Sequence, residues 1–182
     1  MQQAHRKKKG NPPEGEPENH SLGRSRGGWG TKIHAICDKD GNGLNFCLTP
    51  GQSSDIAYAE WLIELTSIPK SKGRPRTRPN WINADKGYDS QDFRTYLSLR
   101  QTKANIPEQQ IPKGKTRRRK GRKPTLNEER YKNRNQIERL FGKLKHFRRI
   151  ATRYDKYAQV FLAFIYLAII IIYIKKYFSN TT

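Results

Sequence analysis

The sequence is poor in cysteine and in acidic residues, and no apolar run opens it. Its two cysteines, Cys37 and Cys47, form no Cys-x-x-Cys pair, so we expect neither a zinc site nor a disulfide framework. We expect instead that both are small residues in the core of a protein in a reducing compartment. Residues 1–18 are basic, then acidic, with three prolines, which predicts no secretory signal. Sixteen acids against 37 Lys and Arg leave a net charge of +21, which favours a polyanionic partner, nucleic acid first.

The length of 182 residues is enough for one domain with a core, rather than two. Residues 158–174 are apolar except for Gln159, and these 17 residues are short for a membrane span, which needs about 20. A helix buried in a core is also apolar on all sides. We therefore expect a core helix, no membrane and a cytoplasmic, nucleoid-associated protein; a membrane anchor is the alternative.

Residues 1–28 are rich in Gly, Pro and charge, which predicts a flexible basic arm, followed by one folded domain over 29–178. Alternating apolar positions and the Asp40-Gly-Asn-Gly43 turn predict a β-hairpin. The elements predicted after the arm are strands 31–38 and 44–49, a helix over 56–66, a strand over 81–84, a helix over 91–99 and an edge strand over 103–106. This alternation predicts an α/β fold, with helices flanking a mixed sheet.

The stretch Tyr131–Lys145 predicts an amphipathic helix that is capped by Asn127 and ends near Ile150. At about 100° per residue, one stripe is apolar. Its members are Ile137, Leu140, Phe141, Leu144 and Phe147. A second stripe contains Tyr131, Arg134, Glu138 and Lys145. Glu138 is open to two interpretations: a surface ion pair with Arg134, or a functional acid at the border of the apolar face.

Asp85 lies where a short apolar strand stops, directly before Gly87, which permits a sharp turn. Functional residues of α/β folds collect at such strand ends, although an ordinary loop aspartate is the alternative. If Asp85 pairs with Glu138, two carboxylates in a positive field match Mg²⁺ or Mn²⁺. Two such ions, about 3.5–4 Å apart, catalyse phosphoryl transfer.

Two segments are candidates for contacts with a nucleic-acid backbone. The basic loop 113–124 holds eight Lys or Arg between residues 113 and 123 and no acid, and such a run is otherwise a solvated segment. Within it, the candidates for DNA binding are Arg117, Arg118, Arg119 and Lys120. The run Gly23–Gly28 either wraps phosphates with its backbone, Arg24 and Arg26, or is a flexible linker.

Four stretches together carry a family resemblance over residues 20–160. They are Gly23–Gly28 with Thr31–His34, Leu48–Gly51, Ala84–Asp89, and the pattern Tyr-x2-Arg-x3-Glu-x6-Lys met by Tyr131, Arg134, Glu138 and Lys145. With them the chain resembles the catalytic domain of the DDE transposases of bacterial insertion sequences, specifically the insertion-sequence-five family of the insertion-sequence-four superfamily.

The resemblance implies a ribonuclease-H-like fold, with Asp85 as the second catalytic acid and Glu138 as the third. It implies that Tyr131, Arg134 and Lys145 contact transposon DNA or support the site. The complete site would hold two Mg²⁺ or Mn²⁺ ions, and the partners would be the double-stranded terminal inverted repeats and target DNA.

The family's first catalytic Asp stands on an opening strand, a few residues before a segment like Met1–His5. Asp38 and Asp40 lie on the hairpin, at positions that the family does not use for metal. We therefore expect a chain that lacks the opening strand, either N-terminally truncated or the second of two reading frames. This interpretation allows two further partners. One is a second copy of the chain in a homodimer, and the other is an upstream reading-frame product that supplies the first Asp.

Three functions remain open at this point. The first is a transposase catalytic portion that cleaves and joins DNA ends but is inactive alone. The second is a catalytically dead remnant that only binds DNA, and the third is a small membrane-anchored basic protein.

Overall fold

A computed structural model describes residues 16–109 and 124–178, which belong to two compact units. The first unit contains Met1–Ser53 and Ile137–Thr182, and the second contains Ser54–Gln136. The sequence alone predicts a single folded domain over residues 29–178. The elements in chain order are strands β1 (Gly23–Ser25), β2 (Gly28–Cys37) and β3 (Gly43–Pro50), helix α1 (Ala59–Leu65), strand β4 (Trp81–Asn83), helix α2 (Gln91–Leu99), strand β5 (Lys103–Asn105), and helices α3 (Glu128–Lys132), α4 (Asn135–Lys145), α5 (Arg148–Ala151) and α6 (Ala158–Phe178).

The first unit contains an antiparallel sheet in the order β1-β2-β3. Strands β2 and β3 confirm the predicted hairpin, and their register pairs Thr31 with Pro50. Asp38 stabilises the turn, because its carboxylate accepts hydrogen bonds from the backbone N–H of Asp40 and from the backbone and side chain of Asn42.

Residues 16–25 pack onto the first unit by the contacts below. The sequence alone predicts that residues 1–28 form a flexible arm. Ser21 is buried, and its carbonyl accepts a hydrogen bond from the Thr31 hydroxyl at 2.8 Å. The buried carboxylate of Glu16 accepts hydrogen bonds from the backbone N–H of Ala158 at 2.6 Å and Gln159 at 3.1 Å, at the start of α6. Residues 1–15 of the expected arm lie outside the described residues.

The core of the first unit is formed by α4, α5 and α6 against the hairpin. Its buried members are Phe46, Leu140, Leu144, Ile150, Phe161, Ile165, Ala168 and Ile169. The apolar stripe predicted on α4 is confirmed, since its other members, Ile137, Phe141 and Phe147, pack against this cluster. Cys47 is buried and Cys37 half-buried, both as free thiols, and burial raises the pKa of each thiol to about 11.

Helix α6 has two different faces. One packs into the core through Phe161, Ile165 and Ile169, which confirms a core role for that face. The other leaves Leu167 and Ile170 about half exposed, at 52% and 51%. By length and composition α6 could also cross a membrane, a test that core helices of soluble proteins pass too.

The predicted continuous helix from Asn127 to Ile150 is wrong. Asn127 does act as a cap, since its side chain accepts a hydrogen bond from Arg130 N at 2.9 Å, but the helix it begins ends at Lys132. Helix α4 begins again at Asn135, and α5 is separate. At the break, the backbone N–H groups of Asn133, Arg134 and Gln136 donate to carbonyls three residues earlier, and asparagine is a weak helix former.

The second unit contains β4 and β5 as a parallel pair, with Trp81 opposite Lys103. Its helices agree with the prediction: α2 spans Gln91–Leu99 and is capped by the Ser90 hydroxyl, while α1 follows a 3₁₀ turn over Ile56–Tyr58. The buried apolar side chains are Leu62, Ile63, Phe93, Leu97 and Ile106. The α/β class is confirmed, but instead of one mixed sheet the described strands form an antiparallel sheet and a separate parallel pair. Strand pairing is a long-range property that local patterns do not specify.

Candidate functional site

Asp85 lies two residues after β4, where it caps the 3₁₀ turn Lys86–Tyr88. Its Oδ1 atom accepts a hydrogen bond from Gly87 N at 2.8 Å. A Cβ atom at Gly87 would lie 3.0 Å from this oxygen, so glycine permits the close approach. The Asp85 side chain is exposed, and in the part of the chain that the structure describes Oδ2 has no hydrogen-bond partner. One oxygen therefore fixes the turn and the other is available to a ligand.

Asp89 ends the same turn but has a structural role. Its Oδ1 accepts a hydrogen bond from Arg94 Nε at 2.8 Å, and its Oδ2 accepts one from Gln109 N at 2.8 Å. Its side chain is only 4% exposed. The same guanidinium donates to the carbonyl of Ile106 at 2.6 Å, after β5. Asp89 and Arg94 thus tie together the loops that follow β4 and β5.

Asn105 forms a second connection at this edge of the parallel pair. It is 1% exposed, and its side-chain nitrogen donates to Asn83 Oδ1 at 2.8 Å and to the carbonyl of Asn127 at 3.0 Å. Its side-chain oxygen accepts from Asn127 N at 2.8 Å. Asn83 ends the strand before Asp85, and Asn127 caps α3, which carries Tyr131. Asn105 therefore positions the strand end and the helix start relative to each other.

Tyr131 and Arg134 contact each other within the second unit. Tyr131 lies on α3, Arg134 lies in the break before α4, and the Arg134 guanidinium is 5.8 Å from the centre of the Tyr131 ring. This cation–π contact orients the arginine. The two predicted residues are thus brought together, but by a turn and not by the continuous helix that the sequence predicts.

Glu138 and Lys145 both lie on α4, in the first unit, and both are exposed. They are seven positions apart in the sequence, so at about 100° per residue they share one face, about 10.5 Å apart along the axis. The buried Leu140 and Leu144 lie about 200° and 240° from Glu138. Packing of the apolar side against the hairpin therefore holds Glu138 on the outer side of the helix.

The other predicted DNA contacts divide into two sets. Arg24 lies on β1 and Arg26 in the turn between β1 and β2, and both are exposed. The strand register pairs Arg24 with Trp29, which is 68% exposed. The basic run 113–123 lies outside the described residues, and so do its four candidates: Arg117, Arg118, Arg119 and Lys120.

The two predicted catalytic carboxylates have the chemistry of divalent-metal ligands. Asp85 in the second unit and Glu138 in the first each present an exposed carboxylate on an ordered element, which is the donor chemistry that Mg²⁺ and Mn²⁺ prefer. Within residues 16–109 and 124–178, no three His, Cys, Asp or Glu side chains are grouped to hold a metal ion. Individually the two acids fit the ion, and their role as ligands stays a prediction.

Sequence reasoning missed Asn105 and the Asp89–Arg94 pair. A signal for Asn105 was present, because an asparagine lies in the run Lys-Ala-Asn-Ile-Pro, where an apolar residue would be expected in a buried strand. No comparable signal exists for Asp89, since a loop aspartate five residues before an arginine is common on protein surfaces.

Comparison with known proteins places the chain in a family. The family described as "Transposase DDE domain" matches residues 3–173. "Putative transposase for insertion sequence element IS6501" of Brucella ovis is 34% identical over 145 residues, 80% of this chain and 98% of that relative. "Putative transposase for insertion sequence element IS402" of Burkholderia cepacia is 30% identical over 137 residues, 75% of this chain but only 59% of that relative.

No solved structure matches the chain. Because the family match covers most of the chain, and the Brucella relative aligns over nearly its whole length, this chain belongs to the Transposase DDE domain family.

Proposed function

We propose that the chain is the catalytic portion of an insertion-sequence transposase, which cleaves and joins DNA strands with Asp85 and Glu138 as metal-binding carboxylates. The observation that carries the proposal is the state of Asp85: it is exposed after a strand end, with one oxygen fixed by Gly87 N and the other available. The end of a strand in an α/β fold is the place where functional residues collect. The family match supplies the reaction class.

The chemistry divides between the bound metal and the chain. Divalent ions, when bound, activate water and stabilise the leaving oxygen in phosphoryl transfer. The chain supplies carboxylates on ordered elements and a large positive charge that attracts the DNA backbone. Tyr131, Arg134 and Lys145 are proposed to bind transposon-end DNA near the two acids.

We further propose a ribonuclease-H-like arrangement and membership of the insertion-sequence-five group. The Tyr-x2-Arg-x3-Glu-x6-Lys spacing supports the group, and the parallel strands β4 and β5, which end beside Asp85, are compatible with that fold. The substrates are double-stranded terminal inverted repeats and target DNA, in the cytoplasmic nucleoid. None of the residues that carry the resemblance matches the family's first Asp, so the chain alone binds DNA without cleaving it.

The experiment uses the purified chain with labelled inverted-repeat DNA and Mn²⁺. We expect binding without cleavage, and cleavage after a segment bearing the first Asp is supplied. The restored cleavage should be lost in Asp85→Ala and in Glu138→Ala but kept in Asp92→Ala, an exposed acid on α2. Cleavage that survives Asp85→Ala would contradict the assignment of the site. Failure of every restored form to cleave would favour a remnant that only binds DNA.

A further inference from the structure

Two cations lie over a single aromatic ring in the second unit. The Lys103 Nζ atom is 5.1 Å from the centre of the Trp81 ring, and the Arg130 guanidinium carbon is 4.8 Å from it. The parallel register places Lys103 directly opposite Trp81, and Arg130 lies in the middle of the five-residue helix α3. Both distances are within the range of cation–π attraction, so the indole orders two side chains that are otherwise long and mobile.

Neither cation is neutralised by an acid in the part of the chain that the structure describes. Arg94 differs from them, since its guanidinium is paired with the buried Asp89. Lys103 and Arg130 form no salt bridge with any described residue, and both are exposed. Each of the two positive charges lies about 5 Å from one ring centre, which gives this spot a local excess of positive charge that a polyanion such as the DNA backbone neutralises.

The position of this ring suits the DNA backbone. Trp81 begins the strand that leads to Asp85, four residues later. At about 3.3 Å per residue, the Cα atoms of Trp81 and Asp85 lie within roughly 13 Å of each other along the backbone. A duplex offers a phosphate about every 3.4 Å along each strand, so DNA bound at Asp85 has phosphates within reach of the ring.

We propose that Trp81, Lys103 and Arg130 form a phosphate clamp that binds the DNA backbone beside the candidate active site. The clamp rests on the proposed function, because it gives a DNA phosphodiester as the ligand. It contacts phosphates, so it contributes affinity and register but no sequence preference. In this clamp Lys103 and Arg130 bind the phosphate, and Trp81 is a positioning residue.

The charges are tested by DNA-binding titrations of the full chain over a range of salt concentrations, with a fluorescein-labelled duplex of arbitrary sequence. Lys103→Gln and Arg130→Gln should each weaken binding and lower the salt slope by about one. Lys72→Gln is the matched control, since Lys72 is an exposed lysine of the same unit with no ring contact in the described chain. The double variant should lose less affinity than the sum of the single variants, because both cations bind one phosphate.

The role of the ring is tested by substitutions that keep both charges. Trp81→Leu should weaken binding about two- to fivefold, which is the change in affinity that corresponds to one exposed cation–π contact. The salt slope should stay the same, because Trp81→Leu removes no charge. Trp81→Phe, which keeps a weaker ring, should be intermediate, and it remains informative if Trp81→Leu does not fold. Thermal melting by circular dichroism identifies variants that fold.

The outcomes separate the clamp from the proposed function. If the unmodified chain does not bind DNA at all, the proposed function fails. If the chain binds DNA but Lys103→Gln and Arg130→Gln behave like Lys72→Gln, only the clamp is refuted. Folded Trp81→Phe and Trp81→Leu proteins with unchanged affinity would show that the ring does not position the cations.

Discussion

The two faces of α6 predict that substitutions at two neighbouring residues lower the stability of the protein by very different amounts. Ile169 is 4% exposed and belongs to the core cluster, whereas Ile170 is 51% exposed. The Cδ1 atom of Ile169 lies 3.2 Å from the place that a Cβ atom would occupy at Gly43, so the side chain fills the space against the hairpin. Removing it leaves a cavity between a helix and a sheet that cannot easily close.

Ile169→Ala should therefore destabilise the protein by about 2–5 kcal/mol, the range for truncating a buried isoleucine. Ile170→Ala should cost well under about 1 kcal/mol, as a surface substitution does. Domains have only about 5–15 kcal/mol of stability, so the first change is large. Ile169→Asp, which buries an unpaired charge, should prevent folding, and Ile170→Asp should be tolerated.

Urea unfolding followed by circular dichroism in detergent-free buffer measures the difference. We expect a lower midpoint for Ile169→Ala, and a midpoint for Ile170→Ala close to that of the parent. Equal losses in both variants would refute the two-faced arrangement. A protein that stays in solution only with detergent, and that Ile170→Asp damages as severely as Ile169→Asp, would instead indicate a lipid-exposed α6.

The remaining predictions concern two buried polar side chains. Glu16→Gln should destabilise the first unit by about 1–2 kcal/mol at neutral pH, since Glu16 accepts hydrogen bonds from the start of α6. Burial raises the pKa of Glu16, but hydrogen bonds from Ala158, Gln159 and His20 outweigh burial and lower the pKa from its ordinary value. The stability that Glu16 contributes is therefore present above the ordinary carboxyl pKa and is lost as pH falls through the lowered pKa. The urea midpoints of parent and variant should converge at that acidic pH, and parallel pH curves would contradict the assignment. Asn105→Ala should lower the stability of the second unit by about 1–3 kcal/mol in urea unfolding, because it leaves polar groups of Asn83 and Asn127 without their partner. An equal loss of stability in Asn80→Ala, which changes an exposed side chain, would argue against the structural role of Asn105.

Local patterns in the sequence were sufficient for the hairpin and for α2. The Asp40-Gly-Asn-Gly43 turn and the alternating strands determine the hairpin, and the Ser90 cap determines the start of α2. The apolar stripe of α4 was also predictable, because its period of 3.6 residues reports which side faces the core. The same period predicted Glu138 at the border of this apolar face, and its side chain is exposed.

Other features depend on contacts that the sequence does not encode locally. The break at Asn133 was missed because the second stripe, from Tyr131 to Lys145, keeps helical spacing across it. The two faces of α6 were hidden because a helix that is apolar all round has no polar stripe to mark its exposed side. The network of Asn105 joins residues 22 positions apart on each side, and such pairing becomes visible only in three dimensions.

The contrast between Asp85 and Asp89 has a consequence for mutational screens of transposition. Both acids lie in one short turn. In a form to which a segment bearing the first Asp has been restored, replacing either should abolish activity: Asp85→Ala removes a proposed metal ligand, and Asp89→Ala removes the contact that joins Arg94 to the loop after β4. A screen that scores only transposition would therefore count Asp89 as a third catalytic acid. Protein abundance or melting temperature, measured beside activity, distinguishes them, because Asp89→Ala removes the carboxylate partner of the largely buried Arg94 while Asp85→Ala changes an exposed side chain.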